Sequence, residues 1–245
     1  MVARTQTLVG ILAAAGQGER FGGDVPKQFQ LLEGRMLVEY ALEALHESAL
    51  VHAIVVVVPP GWEARMRDAA AAAGIAAKIV GVTAGGATRQ ESVWRGLEAA
   101  TGHTHVLVHD AARPFLTQRL IRDAVAAVHE HGASTIALPV SDTLMRAQAL
   151  EERAAATLAR DRIWAVQTPQ VFEFALLHAA HEQAQAQANE ATDDGGLVLS
   201  LGRTLDFVPG NWWNLKVTTP DDLHRARCIL KMRDLLSEEG GACSE

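Results

Sequence analysis

Residues 8–28 decide the fold, and they have the sequence LVGILAAAGQGERFGGDVPKQ. The stretch begins as an apolar run of strand length, then breaks into small residues and glycines, and Arg20 and Lys27 follow within one loop. A buried strand that ends in a glycine-rich loop exposes backbone N–H groups, which can surround an anion because no side chain blocks close approach. The two cations add full charges to these partial ones. The stretch therefore predicts a polyphosphate-binding loop at the edge of a sheet.

The glycine spacing excludes two common phosphate-binding loops. The dinucleotide pattern needs G-x-G-x-x-G opening into a helix, whereas Gly16 and Gly18 are followed by a third glycine only at Gly22. The P-loop pattern G-x-x-x-x-G-K-[ST] does not occur either. A glycine-rich loop alone is also compatible with a simple tight turn. The interpretation as a polyphosphate-binding loop therefore depends on the whole stretch, including Arg20 and Lys27.

Composition limits the classes of protein to consider. A chain of 245 residues with 49% hydrophobic residues fits one large α/β domain or two small ones. The net charge of −7 argues against a nucleic-acid partner. Apolar runs stay well short of the ~18 residues of a membrane helix, so no membrane segment is predicted. The two cysteines, Cys228 and Cys243, do not suggest a disulfide framework and favour a reducing, cytoplasmic location.

Apolar strand-like and helix-like segments alternate over the first 140 residues. The patterns predict strands at 8–14, 53–58, 78–82, 105–109 and 135–140, and helices at 37–45, 62–73, 90–100 and 120–131. This alternation is typical of an α/β, Rossmann-like fold, a mostly parallel sheet with helices on both faces. Ligands of such sheets bind beyond the carboxyl ends of the strands, where the first loop, Gly85–Gly86 and Asp110 are expected to meet.

The pattern changes after Val140. Residues 141–166 are predicted to form a protruding β-arm, a long hairpin outside the sheet, and a helix at 172–187 follows. Short strands are expected at 205–208 and 215–217, and a last helix at 221–236. No composition shift marks a domain boundary, so we expect a single domain spanning 1–245 with an arm at about 141–166.

Several polar residues are candidates for chemistry at the predicted edge. Asp110 follows a strand and, taken alone, is as suited to cap the turn and pair with Arg113 as to bind a ligand. The neighbouring phosphate loop favours the second role, in which Asp110 holds Mg²⁺, directly or through water, or contacts substrate. Gly86 and Ser92 lie in a loop that either reads a pyrimidine edge or only begins a helix. Thr168 precedes a proline, which favours an extended backbone suited to a substrate hydroxyl. From residue type alone, Lys216 is a surface lysine.

The motifs taken together resemble the 2-C-methyl-D-erythritol 4-phosphate cytidylyltransferase family over about residues 8–227. The matching segments, in order, are Ala14-Ala15-Gly16-x-Gly18-x-Arg20, Pro26-Lys27-Gln28, Gly85-Gly86-x-x-Arg89-x-x-Ser92-Val93, His109-Asp110-Ala111-Ala112-Arg113-Pro114, Asp142-Thr143, Thr168-Pro169-Gln170, Thr192-Asp193 and Asn214-x-Lys216-Val217-Thr218. The resemblance implies a nucleotide-diphospho-sugar transferase type of fold. It also implies a homodimer that uses CTP and Mg²⁺ to form 4-diphosphocytidyl-2-C-methyl-D-erythritol and pyrophosphate in isoprenoid precursor biosynthesis.

The resemblance also assigns roles to matching residues. The implied catalytic cations are Arg20, Lys27 and Lys216. The implied nucleotide contacts are Ala14, Ala15, Gly16, Gly18, Gly86, Ser92, Asp110 and Ala111. The implied acceptor contacts are Asp110, Arg113, Thr168 and Thr192, with Thr143 and Arg160 of the arm reaching the partner's site.

The chemistry agrees with these residues, and two alternatives stay open. A phosphate monoester is mostly a dianion at neutral pH, so it attacks without a general base, and cations suffice to neutralise charge and hold geometry. The family pattern is broken at Ala87, at Gly195–Gly196, where a looser helix start is expected, and at Trp213. The alternatives are a ribitol-5-phosphate cytidylyltransferase and a non-catalytic nucleotide-binding protein of the same fold.

Overall fold

The computed structural model describes residues 6–16, 18, 21–22, 25–147 and 154–238. Its strands are β1 Leu8–Ala13, β2 Leu31–Leu32, β3 Arg35–Met36, β4 Ala53–Val58, β5 Ile79–Ala84, β6 His105–Asp110, β7 Ala133–Pro139, β8 Leu144–Ala147, β9 Ala154–Leu158, β10 Trp164–Glu173 and β11 Asp206–Pro209. Its α-helices are α1 Leu37–Glu47, α2 Glu63–Ala72, α3 Arg89–Ala99, α4 Gln118–His131, α5 Phe174–Ala186, α6 Asp194–Ser200 and α7 Pro220–Glu238. A 3₁₀ turn covers Lys27–Phe29.

Seven strands form one sheet in the order β11-β7-β10-β6-β1-β4-β5. The pairs β1–β4, β1–β6, β4–β5 and β7–β11 are parallel, whereas β10 runs antiparallel to both β6 and β7. The register pairs Ala13 with Asp110 at the carboxyl ends of β1 and β6. The loop that follows β1 therefore begins beside Asp110, at the edge where ligands of such sheets bind.

Both faces of the sheet are covered. In β4, Ile54, Val56 and Val58 join one hydrophobic core, and Val55 and Val57 join the other. A strand buried on both faces has a continuous apolar run because neither set of alternating side chains meets water. Buried side chains of α1, α2 and α4 belong to the first core, and those of α3, α5 and α6 belong to the second. The predicted mostly parallel sheet with helices on both faces is confirmed.

Helix α3 approaches the sheet closely at Gly96. A Cβ at that position would lie 2.7 Å from Cγ2 of Ile11 and 3.0 Å from Cγ2 of Val57. Only glycine fits this spacing without displacing the helix, because real Cβ atoms do not come so near another carbon. The close packing places the first turn of α3, which contains Arg89 and Ser92, against the carboxyl ends of the strands.

The arm is a two-stranded hairpin outside the main sheet. Strands β8 and β9 pair antiparallel, with Leu144 opposite Leu158, and they form a sheet of their own. The predicted arm ended at Val166, whereas Trp164–Val166 pair with β7 and belong to the main sheet. Residues 148–153, which include the tip of the predicted hairpin, lie outside the described residues.

One predicted strand is not formed and one predicted helix begins two residues late, and both differences arise where tertiary contacts override a local signal. The helix expected from Phe172 begins at Phe174, because Gln170–Glu173 pair with β6 in the middle of the sheet. Pro169 hides this strand in the sequence, since a proline inside a run argues against a central strand. The strand expected at 215–217 is an irregular segment, held to the Ala112 carbonyl by the Val217 N–H at 2.8 Å.

Among the described residues, no helix combines the length and the apolar character needed to cross a bilayer.

Candidate active site

A cavity of about 200 Å³ opens beyond the carboxyl ends of β1, β5 and β6, and we call it the donor cavity. The loops after β1, β5 and β6, the segment that carries Lys216 and the first turn of α3 form its wall. Its lining residues are Ala13, Ala15, Gly16, Lys27, Gln28, Gly86, Ala87, Thr88, Arg89, Ser92, Asp110, Ala112 and Lys216. The structure therefore brings together seven of the residues that the sequence singled out, namely Ala15, Gly16, Lys27, Gly86, Ser92, Asp110 and Lys216.

The loop after β1 is fixed by Gln28. This buried side chain donates a hydrogen bond to the Ala14 carbonyl, and the Ala14 N–H donates to Val57 at 2.7 Å. Ala14 is itself buried and does not line the cavity, so it shapes the loop rather than presenting a side chain to a ligand. A Cβ at Gly18 would lie 3.2 Å from Cβ of Lys27, so the loop packs against this lysine. Arg20 lies outside the described residues.

The loop after β5 is held by Ser92. Its hydroxyl donates to the Thr88 carbonyl at 2.8 Å and accepts from the Gly86 N–H at 3.1 Å. The serine proton is therefore used within the loop, and one lone pair remains to accept a bond from a ligand. A Cβ at Gly85 would overlap that of Ala15, so a glycine is needed where the two loops meet.

Asp110 lies among three positively charged side chains, those of Arg89, Arg113 and Lys216. Its Oδ2 is 2.6 Å from Nζ of Lys216, and its Oδ1 is 3.2 Å from Nε of Arg89. Burial alone would raise the pKa of Asp110, but the charges of Arg89, Lys216 and Arg113 outweigh it and hold this pKa far below its usual range. The carboxylate is therefore ionised at neutral pH, as a ligand of a hard cation must be.

A second cavity of about 250 Å³ adjoins the first, and we call it the acceptor cavity. Its lining residues are Arg89, Asp110, Arg113, Val166, Gln167, Thr168, Gln170, Thr192, Asp193 and Lys216. Arg89, Asp110 and Lys216 line both cavities. A ligand in one cavity and a ligand in the other would therefore meet at these three side chains.

Thr168 connects the acceptor cavity to a buried histidine. Its Oγ1 accepts from the Asp110 N–H at 3.1 Å and lies 3.0 Å from Nδ1 of His109. Nε2 of His109 lies 3.1 Å from the Arg113 carbonyl, which can only accept, so Nε2 carries the proton and the threonine hydroxyl donates to Nδ1. Thr168 therefore fixes the Asp110 backbone and can accept from a substrate hydroxyl, but its own proton is committed.

Burial of His109 makes the stability of the fold sensitive to acid. Burial lowers the pKa of His109 to about 4, below its ordinary value of about 6.5. Between these pH values the unfolded chain binds a proton that the folded chain does not, so stability falls as pH falls. We expect His109→Gln to reduce the loss of unfolding free energy between pH 7 and pH 5 by about 2 kcal/mol relative to the wild type.

Urea unfolding of the two proteins at both pH values measures this difference. His224→Gln, at an exposed histidine of α7, is the matched control and should keep the wild-type pH dependence. An unchanged pH dependence in His109→Gln would show that His109 takes up a proton in the folded state.

The segment that carries Lys216 is anchored by Asn214. The buried amide of Asn214 donates to Oε1 of Gln167 at 3.2 Å and to the Thr168 carbonyl at 2.8 Å. Nη1 of Arg113 donates to the Asn214 carbonyl at 2.7 Å. These bonds explain how an irregular segment holds a lysine against Asp110, so Lys216 is an ion-paired residue of both cavities rather than a plain surface lysine.

The remaining predicted site residues lie outside the donor cavity. Thr192 lines the acceptor cavity, whereas Ala111 is fully buried in the core with its N–H bonded to the Ala13 carbonyl. Thr143 and Arg160 are exposed at the base of the arm, where Arg160 bonds the Ser141 carbonyl. Neither arm residue lines the donor or the acceptor cavity of its own chain, and their reach into a partner stays a prediction.

Arg89 is one of the site residues to which the sequence assigned no role. It appears in the quoted motif, but its importance depends on two carboxylates that are remote in the chain, Asp110 and Asp194. The available signal was its position at the helix start that follows Gly85–Gly86, at the same sheet edge as Asp110. Gln28 and Thr88 were missed for a related reason, since polar residues next to a glycine-rich loop also occur in ordinary turns.

Comparison with known proteins identifies the family. A family model described as "IspD: 2-C-methyl-D-erythritol 4-phosphate cytidylyltransferase" matches residues 8–232. The chain is 40% identical to the 2-C-methyl-D-erythritol 4-phosphate cytidylyltransferase of Pelotomaculum thermopropionicum, over 94% of this chain and 98% of that protein. It is 42% identical to the enzyme of the same name from Thermotoga neapolitana, over 91% and 96%. The chain belongs to this family.

The solved structures agree with membership of the 2-C-methyl-D-erythritol 4-phosphate cytidylyltransferase family. The crystal structure of the Thermus thermophilus member superposes with a TM-score of 0.76 at 37% identity, covering 93% of this chain and all of that one. The family that the motifs indicated is confirmed. The range that matches the family model contains the residues that line both cavities.

Proposed function

We propose that this protein is a CTP-dependent cytidylyltransferase that transfers CMP from CTP to 2-C-methyl-D-erythritol 4-phosphate, releasing pyrophosphate, in isoprenoid precursor biosynthesis. The observation that carries the proposal is a pair of adjoining cavities that share one carboxylate and two cations, Asp110, Arg89 and Lys216. A transferase needs two substrates to meet at one point, and a protein that only bound a nucleotide would not need the second cavity.

CTP occupies the donor cavity in this proposal. Ala15, Gly86 and Ser92 form the wall that would contact cytidine, and the serine lone pair left over in the loop is one acceptor for it. The triphosphate would lie along the loop after β1, at Gly16 and Gly18, with Lys27 beside it. This side of the site provides backbone N–H groups and positive charge, as a polyphosphate requires.

The acceptor phosphate attacks without a general base. With a second pKa of about 6, a phosphate monoester is mostly a dianion at neutral pH. One of its oxygens forms a bond to the α-phosphorus of CTP, while the bond from that phosphorus to the bridging oxygen breaks and pyrophosphate leaves with the electron pair. Lys27, Lys216 and Arg20 are proposed to offset the charge that develops on the α-phosphate and the leaving group.

Asp110 is the residue that would hold Mg²⁺. Protein sites bind this ion through one or two carboxylates together with substrate phosphates, and Asp110 is an ionised carboxylate between the two cavities. When bound, the ion supplies additional neutralisation of the phosphate charges. The residues present therefore fit the metal.

The acceptor lies in the second cavity, and a partner subunit is proposed to complete it. Arg113, Thr168 and Thr192 line this cavity, and Thr143 and Arg160 would arrive from the arm of a second copy in a homodimer. An apolar patch at the base of the arm supports this arrangement. Trp164 and Phe207 stack with ring centroids 5.0 Å apart, yet 38% and 47% of their surfaces are exposed, which is typical of an interaction surface.

A cytoplasmic location completes the proposal. Cys228 is exposed and forms no disulfide with any described residue, which fits a reducing compartment.

An acceptor assay tests the function. We expect purified protein with CTP and Mg²⁺ to release pyrophosphate with 2-C-methyl-D-erythritol 4-phosphate and far more slowly with ribitol 5-phosphate. Faster release with ribitol 5-phosphate would make the protein the sister cytidylyltransferase. CTP binding without pyrophosphate release from either acceptor would favour a nucleotide-binding protein and contradict the proposal.

A further inference from the structure

Arg89 joins two carboxylates that come from different parts of the chain. Its Nε lies 3.2 Å from Oδ1 of Asp110, and its Nη1 lies 2.8 Å from Oδ2 of Asp194. Arg89 is the first residue of α3, and Asp194 is the first residue of α6. The guanidinium therefore ties the starts of two helices to the carboxylate shared by the two cavities.

The carboxylate of Asp194, at the end of this connection away from Asp110, is deeply buried. Asp194 and His181 have no exposed surface, and Nε2 of His181 lies 3.2 Å from Oδ1 of Asp194. Since the carboxylate only accepts, Nε2 of His181 is the donor. Asp194 lines neither cavity, but the two residues before it, Thr192 and Asp193, line the acceptor cavity. The position of Asp194 thus sets the position of the acceptor wall.

Local preferences alone would not put an arginine at this place. A cation in the first turn of a helix opposes the helix dipole, whereas an aspartate there is favoured. Arg89 is stable there because two ionised carboxylates accept its planar fork, a geometry that a single ammonium cannot reproduce. The contact also fixes Asp110 from one side, so that its other oxygen remains directed at Lys216.

We propose that Arg89 is a positioning residue that fixes the Asp110 carboxylate and the start of α6 relative to each other. Its role, which rests on the proposed function, is to set the distance between the donor and the acceptor phosphates. Asp194 and His181 act through Arg89, although neither lines a cavity. Displacement of about 1 Å between reacting groups is enough to slow a reaction strongly, so a buried residue outside the cavities is expected to affect turnover.

Steady-state kinetics of Asp194→Asn test this role. The change keeps the size of the side chain but removes the charge that holds Arg89. We expect kcat/KM for the acceptor to fall by about 10- to 100-fold, while the Kd for CTP, measured by calorimetry, stays within about threefold of the wild type. Arg89→Lys should show a comparable loss. The double variant should lose less than the product of the two single losses, because both changes break one connection.

Two further variants separate positioning from general loss of structure. His181→Gln keeps an N–H donor for Asp194 and should retain near-wild-type kinetics, whereas His181→Leu removes the donor and should resemble Asp194→Asn. Arg119→Lys and Asp123→Asn change an exposed pair on α4, 3.4 Å apart, and should leave the kinetics unchanged. A structural defect would instead weaken CTP binding and acceptor use together, and lower the thermal midpoint.

The role of Arg89 and the proposed cytidylyltransferase function can be refuted separately. A wild-type protein without turnover would refute the function. An active wild type whose Asp194→Asn and His181→Leu variants keep its acceptor kinetics would overturn the role of Arg89 alone. A parallel loss of CTP affinity and acceptor use in Asp194→Asn would overturn it as well.

Discussion

Lys27→Ala is expected to lower turnover by about 10²–10³-fold, the usual effect of removing one preorganised donor from a transition state. Lys27 lines the donor cavity at the start of a 3₁₀ turn, and Gln28 beside it is hydrogen-bonded to the loop after β1. The Gln28 bond therefore holds the backbone that carries Lys27 beside the loop after β1. Because charge on the α-phosphate grows during attack, the loss should fall more on kcat than on the Kd for CTP.

Pyrophosphate release under saturating CTP and acceptor measures this change. Lys231→Ala, at an exposed lysine of α7, is the matched control for removing one positive charge and should keep full turnover. Arg20→Ala is expected to show a loss of the same size as Lys27→Ala. Near-normal turnover in both variants would contradict the catalytic roles proposed for these two cations.

The sheet was predictable because its signals are local. The run at 53–58 has a β-branched or small residue at every position and contributes to both cores, so its pattern alone indicates a strand buried on both faces. The helix predicted at 120–131 ends at the predicted residue, and Gly132 directly after it adopts the left-handed conformation that glycine favours. Strand β10 was not predictable in this way, because Pro169 interrupts it and its partners in β6 and β7 are distant in the chain.

The site residues also differ in whether a local signal or a long-range contact reveals them. The loop after β1, Gly86 and Ser92 were found because glycine and small polar residues follow strands at a known edge. The pairing of Lys216 with Asp110 across 2.6 Å depends on an irregular segment held by Asn214, and residue type alone indicated a surface lysine. Arg89 is the clearest case. Its role depends on the ion pair with Asp194, a residue that reaches the site only when α6 folds against it. Contacts of this kind have no periodicity for a sequence to display.

Hybrid dimers are expected to recover activity that each parent variant lacks. Arg160→Ala should lower turnover at least about tenfold if the arm supplies this charge to a partner's phosphate, the size of a lost charge-assisted hydrogen bond. Arg160 is exposed and lines neither the donor nor the acceptor cavity of its own chain, so a contribution to catalysis is expected in trans. After subunit exchange with Lys27→Ala, each hybrid carries one site with both native residues.

The expected recovery has a definite size. Equal mixing makes half of the dimers hybrids, with one intact site in two, so activity should rise to about a quarter of the wild type. Lys27→Ala mixed with Lys216→Ala is the control, because both residues line the cavity of the same chain and no hybrid site is intact. Exchange is verified by native mass spectrometry of the mixture. Verified hybrids that remain inactive would show that each chain completes its own site, and recovery in the control mixture would remove the case for an arm that acts on its partner.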